Sequence, residues 1–238
     1  MCGRYATSRT AVALNQRFEI DLANSLTELS TDYNAAPTKA LPIVIEREKD
    51  GNPPVRQLRL ARWGLVPSWA KDASIGNRMI NARSETVAEK PAFKRAFAKR
   101  RAIVPADGYY EWYASNDAVG KVPKQPFYIT PKDRGILAMA GLYEFWKNPD
   151  DGEWLTSFTI LTTSAEDDLG HIHDRMPLMV EPDRYAEWLN PAPIDVLEVR
   201  DLLVPAAPGL LDAIPVSTQV NNVRNNGPEL VKPLEISH

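Results

Sequence analysis

Six segments rich in β-branched and aromatic residues, with prolines scattered between and beside them, commit this chain to a β-rich fold. They are Leu41–Glu46, Val55–Trp63, Tyr109–Tyr113, Pro126–Thr130, Ile136–Phe145 and Ser157–Thr163. Proline makes up 20 of 238 residues, above its usual share of about 5%. The prolines are dispersed, so they punctuate loops and strand edges and do not form a linker. In Val55–Trp63 the alternation is imperfect, because Arg56, Leu58, Leu60 and Arg62 share one parity. Helical patterns are fewer. Pro91–Arg100 begins with proline in its first turn and pairs Phe93 with Phe97 at i, i+4. Pro182–Leu189 and Asp195–Leu203 also read as helices. Strands in the middle with scattered helices predict an α+β fold with a mixed or barrel-like sheet. There is no internal repeat, low-complexity tract or composition break, so residues 1–238 read as a single domain.

Charge and cysteine content remove several function classes. The net charge of −3 excludes a wholly basic nucleic-acid binder but leaves room for a local cationic groove, since phosphate contacts need clustered cations. No run of about 18 apolar residues predicts a membrane span. The N-terminus has no basic-then-apolar leader, so a cytoplasmic location is expected, nucleoid-associated if the source is prokaryotic. Cys2 is the one cysteine, so neither an intramolecular disulfide nor a thiolate metal cluster can form. The histidines are His171, His173 and the terminal His238.

Five stretches could carry chemistry. In Met1-Cys2-Gly3-Arg4-Tyr5, removal of Met1 would leave Cys2 with an α-amine and a thiol on adjacent carbons, both nucleophilic near neutrality. Such a pair condenses with an aldehyde to an imine and closes a thiazolidine ring. In Asn81-Ala82-Arg83-Ser84-Glu85, an extended backbone aims Asn81 and Arg83 at one ligand, and Ser84 looks like a helix cap. Asp107-Gly108 marks a turn, and Glu111 follows on an aromatic strand, where burial would raise its pKa and suit it to shuttle protons. Glu144 sits in a similar run, and the residues alone do not choose between the two. His171-Ile172-His173-Asp174-Arg175 lacks the partners of a zinc site, so His173 as acid/base beside Arg175 as phosphate ligand is the better reading. Finally, Trp63 and Trp69 interleave with Arg62, and Lys94, Arg95, Lys99, Arg100 and Arg101 crowd one short helix. Such residues hold phosphates and stack on bases, although core packing suits Trp63 and a solvated face equally suits the helix.

Together with Tyr33–Thr38, Arg62–Pro67, Pro105–Trp112, His173–Pro177 and Val220-Asn221, these blocks resemble the SRAP (SOS response-associated peptidase) family, in the family's order from residue 1 to about 225. The tail after about 226 is less diagnostic. The resemblance implies a single α+β domain around an open, mixed β-barrel-like sheet with peripheral helices. It implies covalent capture of abasic sites in single-stranded DNA, including single/double-strand junctions, through a thiazolidine on Cys2 after Met1 removal. Asn81, Glu111 and His173 match its other catalytic positions. Arg4, Arg83 and Arg175 fall where the family contacts phosphates, and Trp69 and Trp112 match its junction aromatics. No cofactor or metal is implied. The family's peptidase label would refer at most to removal of the protein's own Met1. Two rivals remain: an N-terminal-nucleophile glutamine amidohydrolase using Cys2, and a non-catalytic single-strand binding module in which Cys2 is idle.

Overall fold

A computed structural model describes residues 2–49, 51–114, 124–165, 169–192, 198–199, 202–203 and 209–234. Among the described residues, twelve strands build two sheets. They are β1 (Tyr5–Thr7), β2 (Asp32–Ala35), β3 (Ala40–Lys49), β4 (Asn52–Trp63), β5 (Asn81–Arg83), β6 (Arg101–Ala106), β7 (Gly108–Tyr113), β8 (Gln125–Pro131), β9 (Leu137–Lys147), β10 (Trp154–Ser164), β11 (Arg175–Pro177) and β12 (Leu211–Pro215). The smaller sheet runs β12-β8-β7-β1-β2. The larger runs β11-β10-β4-β3-β6-β9, and β9 pairs again with β10, from Trp154 opposite Lys147 to Ile160 opposite Gly141. The sheet therefore turns back on itself as a ring of strands, barrel-like and mixed: β10 is parallel to β4 and β5 and antiparallel to β9 and β11.

The apolar runs follow from burial on both faces. Ile43, Ile45, Trp63, Val104, Met139, Phe158 and Ile160 point into the ring. Their neighbours Val44, Leu58, Ile103, Ala140, Leu142 and Leu161 point outward, beneath the helices α1 (Ala11–Phe18), α2 (Lys94–Lys99) and α3 (Tyr185–Leu189). A strand covered on both sides needs no polar face, so it reads as a continuous apolar run. In β4 Leu58 is buried and Leu60 exposed although they share a parity, which accounts for the imperfect alternation. All six sequence-predicted strands form. The helix expected over Pro91–Arg100 shortens to α2, and that over Pro182–Leu189 becomes a 3₁₀ turn (Pro182–Arg184) leading into α3. Most of Asp195–Leu203 lies outside the described residues. Ser84 opens a series of turns, its N–H bonded to Thr162, and no helix follows.

Asp107-Gly108 does not make a hairpin. It carries the chain from β6 in the large sheet to β7 in the small one. The Asp107 carboxylate accepts from Ser8 N–H at 2.6 Å and pairs with Arg9 at 2.7 Å, which ties β1 to this crossing point. Gly64, at φ +117°, packs so close that a Cβ would lie 2.5 Å from the carbonyl oxygen of Gly76. Only glycine fits there, and it lets the chain after Trp63 fold over the ring toward β5.

Candidate active site

The N-terminal segment is laid down by β1. Tyr5 pairs with Tyr109, and Tyr110 N–H donates to the Arg4 carbonyl at 2.9 Å. The residues just before β1 therefore run along the strand that carries Glu111. Cys2 is fully buried within the ring's core cluster, and its Sγ contacts the Arg4 carbonyl at 3.8 Å. Burial pushes the thiol well above its ordinary range, and the Glu111 charge adds to the effect. The sulfur is therefore a protonated thiol at neutral pH.

Asn81 reaches the same segment from the other sheet. Strand β5 is held in parallel register against β10, with Ala82 buried and Arg83 exposed. The Asn81 amide donates from Nδ2 to the Cys2 carbonyl at 2.7 Å. Its Oδ1 is buried without a hydrogen-bond partner among the described residues, an acceptor available to an amine or hydroxyl. Glu111 is 3% exposed. It shares a strand parity with Tyr109, which lies in the ring core. Burial raises its carboxyl to about 7, with a further upward push from Asp174. Glu144 is as deeply buried, but Arg100 pairs with it at 3.0 Å and Phe145 N–H donates to it at 2.9 Å. The electrostatic coupling to Cys2 therefore belongs to Glu111, and Glu144 is engaged elsewhere. His173 accepts the Arg175 N–H on Nδ1 at 3.0 Å, and the Asp174 carboxylate lies 2.9 Å from the same nitrogen. Burial holds the imidazole below its ordinary pKa. In the neutral ring Nδ1 accepts and the proton sits on Nε2; Asp174 becomes a partner once the ring is protonated.

The candidate DNA contacts divide. Arg4 and Trp112 stand together, the guanidinium carbon 5.7 Å from the indole centroid. Arg83 is exposed on β5, in register with Thr162. Arg175 is engaged: Nη1 and Nη2 grip Glu85 at 2.6 and 3.0 Å, and Nη2 also donates to the Thr162 carbonyl at 2.6 Å. Glu85 stands in the sequence block of Asn81 and Arg83, but only the fold could pair it with a residue 90 positions away. Trp69 is 60% exposed in the turn Pro67–Ala70, beside the Ser68–Arg95 hydrogen bond. Trp63 is a core residue, wedged between Tyr5 and Phe158. Arg101 departs from the helix expectation. It lies on β6, 1% exposed, and donates to the carbonyls of Phe97, Ala98, Trp188 and Asn190. Arg100 is taken by Glu144. The cationic helix face thus reduces to Lys94, Arg95 and Lys99. His238 lies outside the described residues.

Comparison with known proteins agrees with this architecture. A crystal structure of a protein from Bacteroides thetaiotaomicron superposes with a TM-score of 0.83 at 27% identity, covering 98% of this chain and all of that one. The sequence is 39% identical over 232 residues to the Bacillus subtilis abasic site processing protein YoqW, spanning 98% of this chain and 99% of the relative. It is 35% identical to the Gallus gallus abasic site processing protein HMCES, spanning 86% of this chain and 66% of the relative. With residues 1–223 matching its sequence profile, the chain belongs to the SOS response associated peptidase (SRAP) family.

Proposed function

We propose that this protein processes abasic sites in single-stranded DNA by forming a covalent thiazolidine between Cys2 and the ring-opened sugar. The observation that carries the reading is the convergence on one residue from two sheets: the Asn81 amide on the Cys2 carbonyl at 2.7 Å, and Glu111, with its carboxyl near 7, coupled electrostatically to the thiol. Family membership and the names of the relatives support the substrate class.

The chemistry proceeds from the residues. Met1 removal frees the Cys2 amine. His173, neutral with its proton on Nε2, helps open the deoxyribose hemiacetal to the aldehyde. The amine adds to C1′, giving a carbinolamine. Protonated Glu111 gives its proton to the departing hydroxyl, which leaves as water, and the iminium remains. Glu111, now a carboxylate, takes the thiol proton while sulfur bonds to C1′. The net change is aldehyde plus aminothiol to thiazolidine plus water, and Glu111 ends as it began. Because the thiol rests protonated, its activation depends on a base, which Glu111 becomes on giving up its proton. The ring matters because an imine alone can undergo β-elimination and cut the strand. The Asn81 Oδ1 acceptor is available to orient the amine or a sugar hydroxyl. The exposed cations and Trp112 would carry the phosphates and an unstacked base.

The test is a denaturing gel. Protein is mixed with a single-stranded oligonucleotide carrying one abasic site, and a heat-stable shifted band is expected at 1 M salt as at low salt once formed. Cys2→Ser loses the band, and Cys2→Ala shows strand cleavage in its place. A stable adduct from Cys2→Ala at wild-type yield, or Met1 retained on the crosslinking protein by mass spectrometry, overturns the reading. Ammonia released from glutamine would point to the amidohydrolase instead.

A further inference from the structure

The segment after β12 is bound to the N-terminus by one buried side chain. Asn34, on β2, is completely buried. Its Nδ2 donates to the carbonyls of Val220, Asn222 and Asn225 at 3.2, 3.1 and 2.9 Å, so two N–H groups serve three acceptors. Its Oδ1 accepts from Arg4 Nη1 at 2.7 Å, and the same nitrogen reaches the Val220 carbonyl at 3.0 Å. The loop in turn presents Asn221, whose Oδ1 accepts the Trp112 indole N–H at 2.7 Å. Trp112 packs under Arg4. The contacts close a ring: Asn34, the loop, Asn221, Trp112, Arg4 and back to Asn34.

That ring has a consequence for reactivity. Arg4 is two residues from Cys2, and Trp112 is next to Glu111. Neither side chain has a fixed orientation on its own: arginine is long, and an indole can turn about two bonds. Asn34 holds Arg4 directly and Trp112 through the loop that carries Asn221, and it is backed by Asp32, which accepts the Asn34 N–H at 2.9 Å.

The geometry points to Asn34 as a positioning residue that, through the 218–226 segment and Asn221, fixes Arg4 and Trp112 against the strand carrying Glu111. The inference rests on the proposed abasic-site chemistry for its readout. The loop is then a working part of the site, since it sets the approach of the nucleic acid to Cys2.

The experiment measures two quantities for Asn34→Ala, Asn221→Ala, Trp112→Phe and the Asn221→Ala/Trp112→Phe double variant. One is the crosslinking rate constant at saturating abasic oligonucleotide. The other is the affinity for the same oligonucleotide without the lesion, by fluorescence anisotropy. Asn34→Ala is expected to slow crosslinking by about tenfold at saturation, as misplacement of reacting groups does. Asn221→Ala is expected to slow it by about threefold, for loss of one orienting hydrogen bond. The Asn221 effect should vanish in the Trp112→Phe background, which has no indole N–H to hold. A merely structural role would lower the melting temperature while leaving the rate of the folded fraction, and the coupling, unmoved. Rates within twofold of wild type for both asparagine variants, or an Asn221 effect equal in both backgrounds, overturn the inference. If Asn34→Ala does not fold, the exposed Asn221 and the double-variant comparison decide alone. If wild type forms no crosslink, the chemistry proposed above fails, and the clamp is judged on anisotropy: weaker binding in the asparagine variants upholds it, unchanged binding overturns it.

Discussion

At the scale of single residues, titration decides what the pocket can do. Glu111 is held near 7 by burial, so the folded protein keeps a proton that the unfolded chain releases near the ordinary carboxylate value. Stability from this group is therefore complete at acid pH and is lost as pH rises from about 4.5 through 7. Glu111→Gln should melt close to wild type at pH 5 and higher than wild type at pH 8, with a gain of up to about 3 kcal/mol. A gain that does not grow with pH would show that the carboxyl is not displaced. The same variant should flatten the pH profile of crosslinking near 7, where wild type shows an inflection. The sequence placed Glu111 among aromatics but could not rank it against Glu144. The difference lies in Arg100, which pairs with Glu144 from 44 positions away, and sequence spacing carries no trace of such a pair.

Between residues and the whole lie the elements and their anchors. Helix α1 is capped by Thr10, whose hydroxyl accepts from Ala13 N–H at 3.2 Å. Thr10→Ala should cost about 1 kcal/mol by chemical denaturation and leave the crosslinking rate at saturation unchanged. Arg101 has a larger task. From β6 it donates to carbonyls at the ends of both α2 and α3, and burial lowers its own pKa to about 10. Arg101→Met keeps the volume but strands those carbonyls in the interior, so a loss of roughly 3–5 kcal/mol is expected. A variant within 1 kcal/mol of wild type would mean that water reaches those carbonyls. Six strands were legible because each is rich in β-branched or aromatic residues over five or more positions; β6, whose Arg101 reads as the end of a cationic helix, and the shorter β2 and β12 were not. The three-residue strands β1, β5 and β11 were not. They are too short to carry a period, and they are strands because β7 and β10 offer them hydrogen bonds.

For the molecule as a whole, β10 is the keystone, since its pairing with β9 closes the ring and its far end supports β5 and β11. Phe158→Ala, at a site of 0% exposure stacked on Trp63, should destabilise by about 3–5 kcal/mol. It should lower the yield of crosslink in step with the folded fraction, with the unfolding transition still cooperative. The sequence by itself determined that the chain is β-rich, that Cys2 is the single thiol, and that Asn81 and Arg83 share a face once their segment is extended. Those properties reside in composition or in neighbours two residues apart, which backbone geometry alone decides. Only the tertiary structure decided that the Asn81 amide meets the Cys2 carbonyl, that Arg175 is gripped by Glu85, that Arg101 is an internal brace and that Asn34 ties the loop after β12 to Arg4. Each of these depends on closing a long loop of chain. Their energies come from burial and hydrogen bonds that exist only once both sheets have formed.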